Sequence, residues 1–468
     1  GYANTALGLK ALGDNTTGIQ NTGSGTYALG KNTTGCFNVA HGYSSLYNNT
    51  TGCDNTAVGR TALYYNTTGA DNTASGHEAL YSNTTGSSNV AIGRSALKSN
   101  TTGSQNVAGG HNGLFSTTTG SDNTVFGQDS GYANTTGAKN HGFGRASLRY
   151  NTTGSHNVGI GYVALFCNTT ASYNTAVGNC TLYANTTGLR NTASGYKALS
   201  QNTTANLNTA SGYHSLRLNT TGTGNAAFGA QTLENNTTGY QNTAVGYTAG
   251  ISNTTGCFNT SLGGCALYAT TTGCYNTGVG YQVLKINTTG ILNTAAGACA
   301  LFSNTTGARN TATGVRSLLG NTTGGKNSTY GWNSMITNST GTENSSFGSE
   351  SLNLNTTGHC NAAFGTAALF SNTTASYNTA TGVNALLSNT TGYANTAVGF
   401  TALKSNTTGI QNTASGTYSN FYNTTGIRNT SYGYAAGMKN TTANNNTAIG
   451  HTAMYQNTTG ACNTASGY

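Results

Sequence analysis

The chain has 468 residues, no proline, 67 glycines and only 6% charged residues, with 18 basic and 9 acidic side chains giving a net charge of +9. These values exclude an ordinary globular domain, in which about a quarter of residues are charged, and a disordered chain kept soluble by charge or proline. The charge forms no block, so we expect no nucleic-acid groove. No run of about 18 apolar residues is present, so we expect no membrane span.

A 17-residue unit repeats without a slip, with the consensus N-T-T-G-x-x-N-T-A-V-G-Y-x-A-L-x-x. We number its positions 1 to 17, starting at Asn15. Such a short fixed period, rich in Asn, Thr and Gly, disfavours helical repeats and favours stacked coils. The sequence predicts an all-β fold, a β-solenoid (parallel β-helix) with one repeat per coil and about 27 rungs. At ~4.8 Å per rung the coils would extend on the order of 130 Å.

The repeat covers residues 1–468, which we interpret as one continuous array and as a window of a longer chain. We expect three short sides near positions 1–3, 7–10 and 13–16, with corners at 4–6, 11–12 and 17. A flattened roll of two sheets is the alternative.

Position 1 is Asn in 25 of 27 copies, and each of these 25 forms an N-x-[ST] acceptor for N-glycosylation. One interpretation is that these asparagines carry N-linked glycans. The alternative is that NTT is a corner motif retained for its hydrogen bonds. The candidate acceptors are Asn15, Asn32, Asn49, Asn66, Asn83, Asn100, Asn134, Asn151, Asn168, Asn185, Asn202 and Asn219.

Position 3 is Thr in all 27 copies, from Thr17 to Thr459. A file of Thr hydroxyls raises the hypothesis of an ice-binding face, although position 1 beside it is Asn rather than the second Thr of a Thr-x-Thr pair. A structural Thr ladder is the alternative.

Four cysteines occupy position 5 of adjacent coils, as Cys36 with Cys53 and Cys257 with Cys274. Rungs ~4.8 Å apart bring stacked cysteines within the range that a disulfide accepts. The sequence therefore predicts two bridges between coils if the protein is extracellular. Unlinked small side chains are the alternative.

Positions 7 and 11 are Asn and Gly in all 28 copies. An invariant Asn suits a buried amide ladder, and an invariant Gly suits a corner with positive φ or a close backbone approach. The structural ladder thus includes Asn21, Asn38, Asn55, Gly25, Gly42 and Gly59.

Position 15 is Leu in 21 of 27 copies and would fill a thin core together with small residues at 9 and 14. Where Gly131, Gly250, Asn420 or Gly437 replaces it, position 16 is bulky, and a local bulge could restore the core. Every Lys and Arg falls at position 6, 12, 13, 16 or 17, which with position 5 we expect to face solvent. Tyr and Phe recur at 12 and 16 as stripes that could stack sugars or a neighbouring rod.

The segments NTAVGRTALYYNTTG from Asn55 and NTAVGFTALKSNTTG from Asn395 resemble repeats of phage and large-virus tail-fibre proteins. They are also similar to the NSVAIG-type head repeats of trimeric autotransporter adhesins, which form β-rolls. The similarity extends over the whole chain, and it implies an extracellular fibre.

No cluster of His, Cys or carboxylates recurs at a spacing suited to catalysis or metal binding, and we expect neither enzyme activity nor a cofactor. The sequence favours a structural filament or fibre shaft, extracellular or on the surface of a cell or virion, with an adhesive or matrix role and self-association into oligomers or filaments. Glycans are a second class of expected partner. A receptor-binding viral fibre is the first alternative, and an ice-binding solenoid is the second.

Overall fold

A computed structural model describes all residues, 1–468, and contains β-strands but no helix. Each strand is three residues long and occupies positions 8–10 of the repeat. The strands are β1 Thr5–Leu7, β2 Thr22–Ser24, β3 Val39–His41, β4 Thr56–Val58, β5 Thr73–Ser75, β6 Val90–Ile92, β7 Val107–Gly109, β8 Thr124–Phe126, β9 His141–Phe143, β10 Val158–Ile160, β11 Thr175–Val177, β12 Thr192–Ser194, β13 Thr209–Ser211, β14 Ala226–Phe228, β15 Thr243–Val245, β16 Thr260–Leu262, β17 Thr277–Val279, β18 Thr294–Ala296, β19 Thr311–Thr313, β20 Ser328–Tyr330, β21 Ser345–Phe347, β22 Ala362–Phe364, β23 Thr379–Thr381, β24 Thr396–Val398, β25 Thr413–Ser415, β26 Thr430–Tyr432, β27 Thr447–Ile449 and β28 Thr464–Ser466.

Within each of the two compact units defined below, each strand pairs in parallel with the strand one repeat further on. Thr56 lies beside Thr73, and Thr73 lies beside Val90, so the register advances by one whole repeat at every step. The predicted parallel β-solenoid with about 17 residues per turn is confirmed. The chain forms two compact units, residues 1–238 and 239–468, which contain β1–β14 and β15–β28.

Only one of the three predicted sides is a β-strand. Positions 12–17 form a run of turns and positions 2–3 a bend, so the sides predicted near 1–3 and 13–16 contain no strand, and the alternative of a two-sheet roll is wrong. The physical reason is that three non-glycine positions of each coil have positive φ, namely 6, 13 and 15. In one coil these are Ser88, Ser95 and Leu97, with φ of 57°, 57° and 52°. A left-handed residue cannot continue an extended strand.

The predicted glycine corner at position 11 is confirmed by its backbone. Gly93 has a φ of 131°, and a Cβ there would lie 2.5 Å from the carbonyl oxygen of Gly110 in the next coil. Both constraints act at once, since an L-residue is disfavoured at this φ and would also clash with the neighbouring backbone. All 28 glycines at this position have positive φ, and the clash recurs along the array, except at Gly467, where a Cβ would meet no atom within 4 Å.

The core is thin and built from three positions. Ala91 at position 9, Ala96 at position 14 and Leu97 at position 15 are each 0% exposed. The leucine is left-handed, which strongly disfavours β-branched side chains. Position 15 holds Leu, Met, Gly or Asn and never Ile, Val or Thr, although position 13, which is also left-handed, accepts Thr61 and Val163.

The coils that lack an apolar residue at position 15 contain no bulge. Gly131 keeps the same left-handed φ, 62°, and its N–H still bonds the Ser147 carbonyl of the next coil at 2.9 Å. The side chain of Leu114, from the preceding coil, reaches to 2.8 Å from where a Cβ would stand. The space is therefore filled by the neighbouring coil, and the prediction that position 16 moves inward is wrong.

Candidate functional site

The asparagines at position 7 form a continuous buried ladder within each unit. Asn55 is 0% exposed, and its Nδ2 donates to Oδ1 of Asn38 at 3.1 Å and to the Gly69 carbonyl at 2.9 Å. Its backbone N–H also donates to Asn38 Oδ1, at 3.0 Å. Each side-chain oxygen thus accepts a hydrogen bond from a backbone N–H of the next coil, while the side-chain Nδ2 donates. No other side chain of similar size combines this acceptor and this donor in one planar amide.

The asparagines at position 1 form a second buried ladder. Asn49 is 0% exposed, and its Nδ2 donates to Asn32 Oδ1 at 2.7 Å and to the Gly52 carbonyl at 2.8 Å. Of the twelve candidate acceptors for glycans, only Asn15, in the first coil, is not fully buried. A sugar on Nδ2 replaces one of these hydrogens and needs a path to solvent, so the folded coil argues against glycosylation at the other eleven.

Positions 2 and 3 have different surroundings although both are Thr. At position 2, Thr84 Oγ1 donates to the Thr101 carbonyl of the next coil at 3.0 Å. The Thr101 carbonyl oxygen also accepts the backbone N–H groups of Thr84 and Thr85, at 2.9 and 3.3 Å. Successive amides therefore converge on one oxygen, as in an anion-binding nest. At position 3, Thr85 is exposed and its hydroxyl makes no hydrogen bond to the protein. The coil therefore explains the Thr at position 2 but not the Thr at position 3.

The two predicted cysteine pairs are stacked on adjacent coils, and all ten cysteines are free thiols in the structure. The Sγ atoms of Cys257 and Cys274 lie 2.8 Å apart. The backbone N–H of Cys36 donates to Cys53 Sγ at 3.1 Å. Burial is the main cause that raises the pKa of the Cys274 thiol. The bridges stay a prediction for an oxidising environment.

The surface positions differ in part from those expected. Position 13 is often buried, as at Ser44 and Ser95, whereas position 10 points outward and is exposed. Position 10 carries large apolar side chains such as Ile92 and Phe126, which are 51% and 44% exposed. Within a strand, neighbours face opposite sides, so the buried alanine at position 9 is the signal that could have identified position 10 as outward.

The aromatic side chains form stacked files rather than isolated contacts. At position 16, the rings of Tyr47, Tyr64 and Tyr81 stack at centroid distances of 5.5 and 5.4 Å. Desolvation, followed by the neighbouring Tyr65, raises the pKa of the Tyr64 hydroxyl. In such a file the ring faces contact each other, so ring edges are presented outward at a regular spacing, which suits packing against another regular surface.

Few ion pairs bridge the coils. Lys98 Nζ lies 2.8 Å from Glu78 Oε2, and this hydrogen bond is the main cause that lowers the pKa of Glu78. His214 and Arg217 both contact Oε1 of Glu234, which is 7% exposed, at 3.1 and 2.8 Å. These contacts satisfy each other's charges and present no aligned nucleophile and base.

No group of three or more His, Cys, Asp or Glu is placed to hold a metal ion. Among the elements of the fold there is no helix with the length and apolarity needed to cross a membrane. Neither a protein-family profile nor a curated protein sequence matches this chain.

Proposed function

We propose that the chain is the shaft of an extracellular filament or fibre with an adhesive or matrix role. The observation that carries the proposal is the pair of asparagine ladders, at positions 1 and 7, which link successive coils within each unit through buried amides. Within each unit the same contacts join each coil to its neighbours, so added repeats extend the structure without changing its cross-section. That property suits a spacer whose length matters more than any single site.

Composition supports a location outside the cell. With 6% charged residues, the chain relies on hydrogen-bonded coils rather than on charge, and the stacked cysteine pairs are positioned to cross-link in an oxidising compartment. The outward aromatic files offer contact surfaces for adhesion. A receptor-binding fibre of a virus is the alternative within the same structural class.

Immunogold electron microscopy of the producing cells and their viruses tests this proposal. Antibodies raised against the purified chain are expected to label filaments outside unpermeabilised cells, or the fibres of released virions in the alternative. Label confined to the cytoplasm, appearing only after permeabilisation, would contradict both. Antibodies against a cytoplasmic protein serve as the control for cell integrity.

Ice binding is a second candidate function, and the exposed Thr file at position 3 favours it. Thr85 and Thr102 of adjacent coils both present hydroxyls that the protein leaves unbonded. Thermal hysteresis of the purified chain is the test. A freezing gap that is lost when Thr at position 3 is replaced by Val in six consecutive coils would support ice binding. The same six substitutions at position 8 serve as the control, and the absence of any gap in the unmodified chain rejects the hypothesis.

A further inference from the structure

The outward face of the sheet in unit 1 combines large apolar side chains with Thr, Ser and His and has no acidic, Lys or Arg side chain. It consists of the side chains at positions 8 and 10, and neither position holds Lys, Arg, Asp or Glu in any of the 28 copies. From β4 to β13, the large apolar residues at position 10 are all 38–51% exposed: Val58, Ile92, Phe126, Phe143, Ile160 and Val177. Scattered apolar residues on a surface are ordinary, but four consecutive coils, β8 to β11, carry large exposed apolar residues, and such a cluster indicates an interaction site.

The face is contoured rather than smooth. Phe126 lies across Gly109, where a Cβ would be 2.4 Å from the ring, and stacks on Phe143 with a centroid distance of 5.6 Å. Beside it, a shallow groove is lined by Asp122 and Lys139 at position 6 and by Thr124 at position 8. Charged residues at position 6 therefore border the apolar file, as a polar rim borders the core of a protein interface.

We propose that this face binds a second copy of the chain, antiparallel, about a two-fold axis that passes between β8 and β9. A second copy has the same coil spacing, so its side chains meet this file in register over many coils. Partners with another repeat distance lose that register after a few coils. This inference goes beyond the proposed shaft function and does not depend on where the protein is located.

The sequence of position 10 fits this symmetry. With the axis between β8 and β9, each large residue at position 10 lies opposite a large or a small residue of the partner, and Ser75 lies opposite a serine. The opposed residues are Phe126 with the partner's Phe143, Gly109 with the partner's Ile160, Ile92 with the partner's Val177, and Ser75 with the partner's Ser194.

The rim charges are complementary in the same arrangement. An in-plane two-fold axis keeps position 6 opposite position 6, which places Asp122 opposite the partner's Lys139 and Asp71 opposite the partner's Arg190. Each pair occurs twice by symmetry. At position 12 no like charges are opposed, since Arg94 meets the partner's Asn179 and Arg145 meets the partner's Gln128. A parallel pairing would instead set Lys139 against the partner's Arg145.

The area is sufficient for a stable dimer. Ten coils at ~4.8 Å, with the face running from position 6 to position 12 over six steps of at most ~3.3 Å, give up to roughly 950 Å² from each copy. The total of roughly 1,900 Å² falls within the size of specific protein–protein interfaces.

Charge exchange across the axis tests the proposal in the full chain. Asp122→Lys gives a chain with two lysines at the axis, and Lys139→Asp gives one with two aspartates. Each variant alone is expected to associate at least about tenfold more weakly than the unmodified chain, because like charges face each other. An equimolar mixture of the two should recover association, since every pair across the axis is again of opposite charge. Sedimentation velocity measures all three.

Two controls separate this from loss of folding and from other registers. Asp54→Lys changes a charge of the same kind at position 6, but faces the partner's Leu207, so it should leave association nearly unchanged. Phe126→Ser, which introduces a residue natural at position 10, should weaken association with no change in the circular dichroism melting curve. An unmodified chain that stays monomeric, or a mixture that does not recover association, overturns the proposal.

Discussion

Replacing Asn89 by alanine removes four hydrogen bonds of the position-7 ladder at one step. Its Nδ2 donates to Asn72 Oδ1 at 3.1 Å and to the Gly103 carbonyl at 2.9 Å. Its Oδ1 accepts the backbone N–H and the Nδ2 of Asn106 at 3.0 and 3.2 Å. All of these groups are buried, so the backbone N–H of Asn106 loses its partner and cannot reach water.

The expected cost is about 3 kcal/mol, the sum of one orphaned buried donor at about 1–3 kcal/mol and the net loss of side-chain bonds at about 1 kcal/mol. This corresponds to a roughly 150-fold increase in the local opening equilibrium. Hydrogen-exchange mass spectrometry on the peptide around Asn106 measures it directly, because local opening controls exchange of that amide.

Asn83→Thr at position 1 is the matched control. No backbone donor depends on Asn83, and the chain itself uses threonine at this position in Thr117, whose Oγ1 accepts from Asn134 Nδ2 at 3.4 Å. We expect less than about a tenfold change in exchange, since only side-chain bonds are weakened. Equal effects of the two substitutions would refute the distinction drawn between the two ladders.

Gly93→Ala should lower stability by more than about 3 kcal/mol in urea unfolding, because it combines a disfavoured φ with a backbone clash; a loss below about 1 kcal/mol would show that the corner can relax. Leu97→Ile should destabilise more than Leu97→Met, although the volumes are similar, because β-branching opposes a left-handed backbone; the reverse order would contradict this. The pKa of Glu78 is lowered below its ordinary 4.5, so the stabilisation it provides is full above that pH and is lost as the pH falls through the folded value. Glu78→Gln should therefore make acid unfolding slightly less steep, by a few tenths of a kcal/mol since the ion pair with Lys98 is partly exposed, and an unchanged acid profile would argue against the pair. The two stacked cysteine pairs should form disulfides under air oxidation, seen as protection from alkylation in peptide mass spectrometry, whereas continued alkylation at all four would reject the bridges.

The repeat alone predicts the coil length, the parallel stacking and the inward leucine file, because a fixed period places equivalent residues over each other. The corner at position 11 can likewise be predicted from the sequence, since only glycine recurs there. Positive φ at Leu97 and at the variable positions 6 and 13 could not be predicted from the sequence, because leucine and most other residues disfavour that region in isolation. Tertiary hydrogen bonds impose it here, as between the Leu97 N–H and the Gly113 carbonyl at 2.9 Å.

The candidate site was harder to locate from the sequence than the fold. Asn32 and its equivalents match the glycan-acceptor motif because N-x-[ST] is a local sequence pattern. Their burial depends on the neighbouring coils, which the motif does not include. The exposed file at position 10 was missed because apolar residues such as Val58 and Ile92 in a strand suggest a core. A coil with one strand has a single inward residue per strand, at position 9, and leaves the other apolar position outside.

A cryo-EM map of the purified chain, at a resolution that separates rungs, tests the central claim most directly. The account predicts within each unit parallel rungs ~4.8 Å apart, each holding one 17-residue repeat, with density for two asparagine ladders inside the coil. Coils holding any other number of residues, antiparallel strands, or position-1 asparagines pointing into solvent would contradict it.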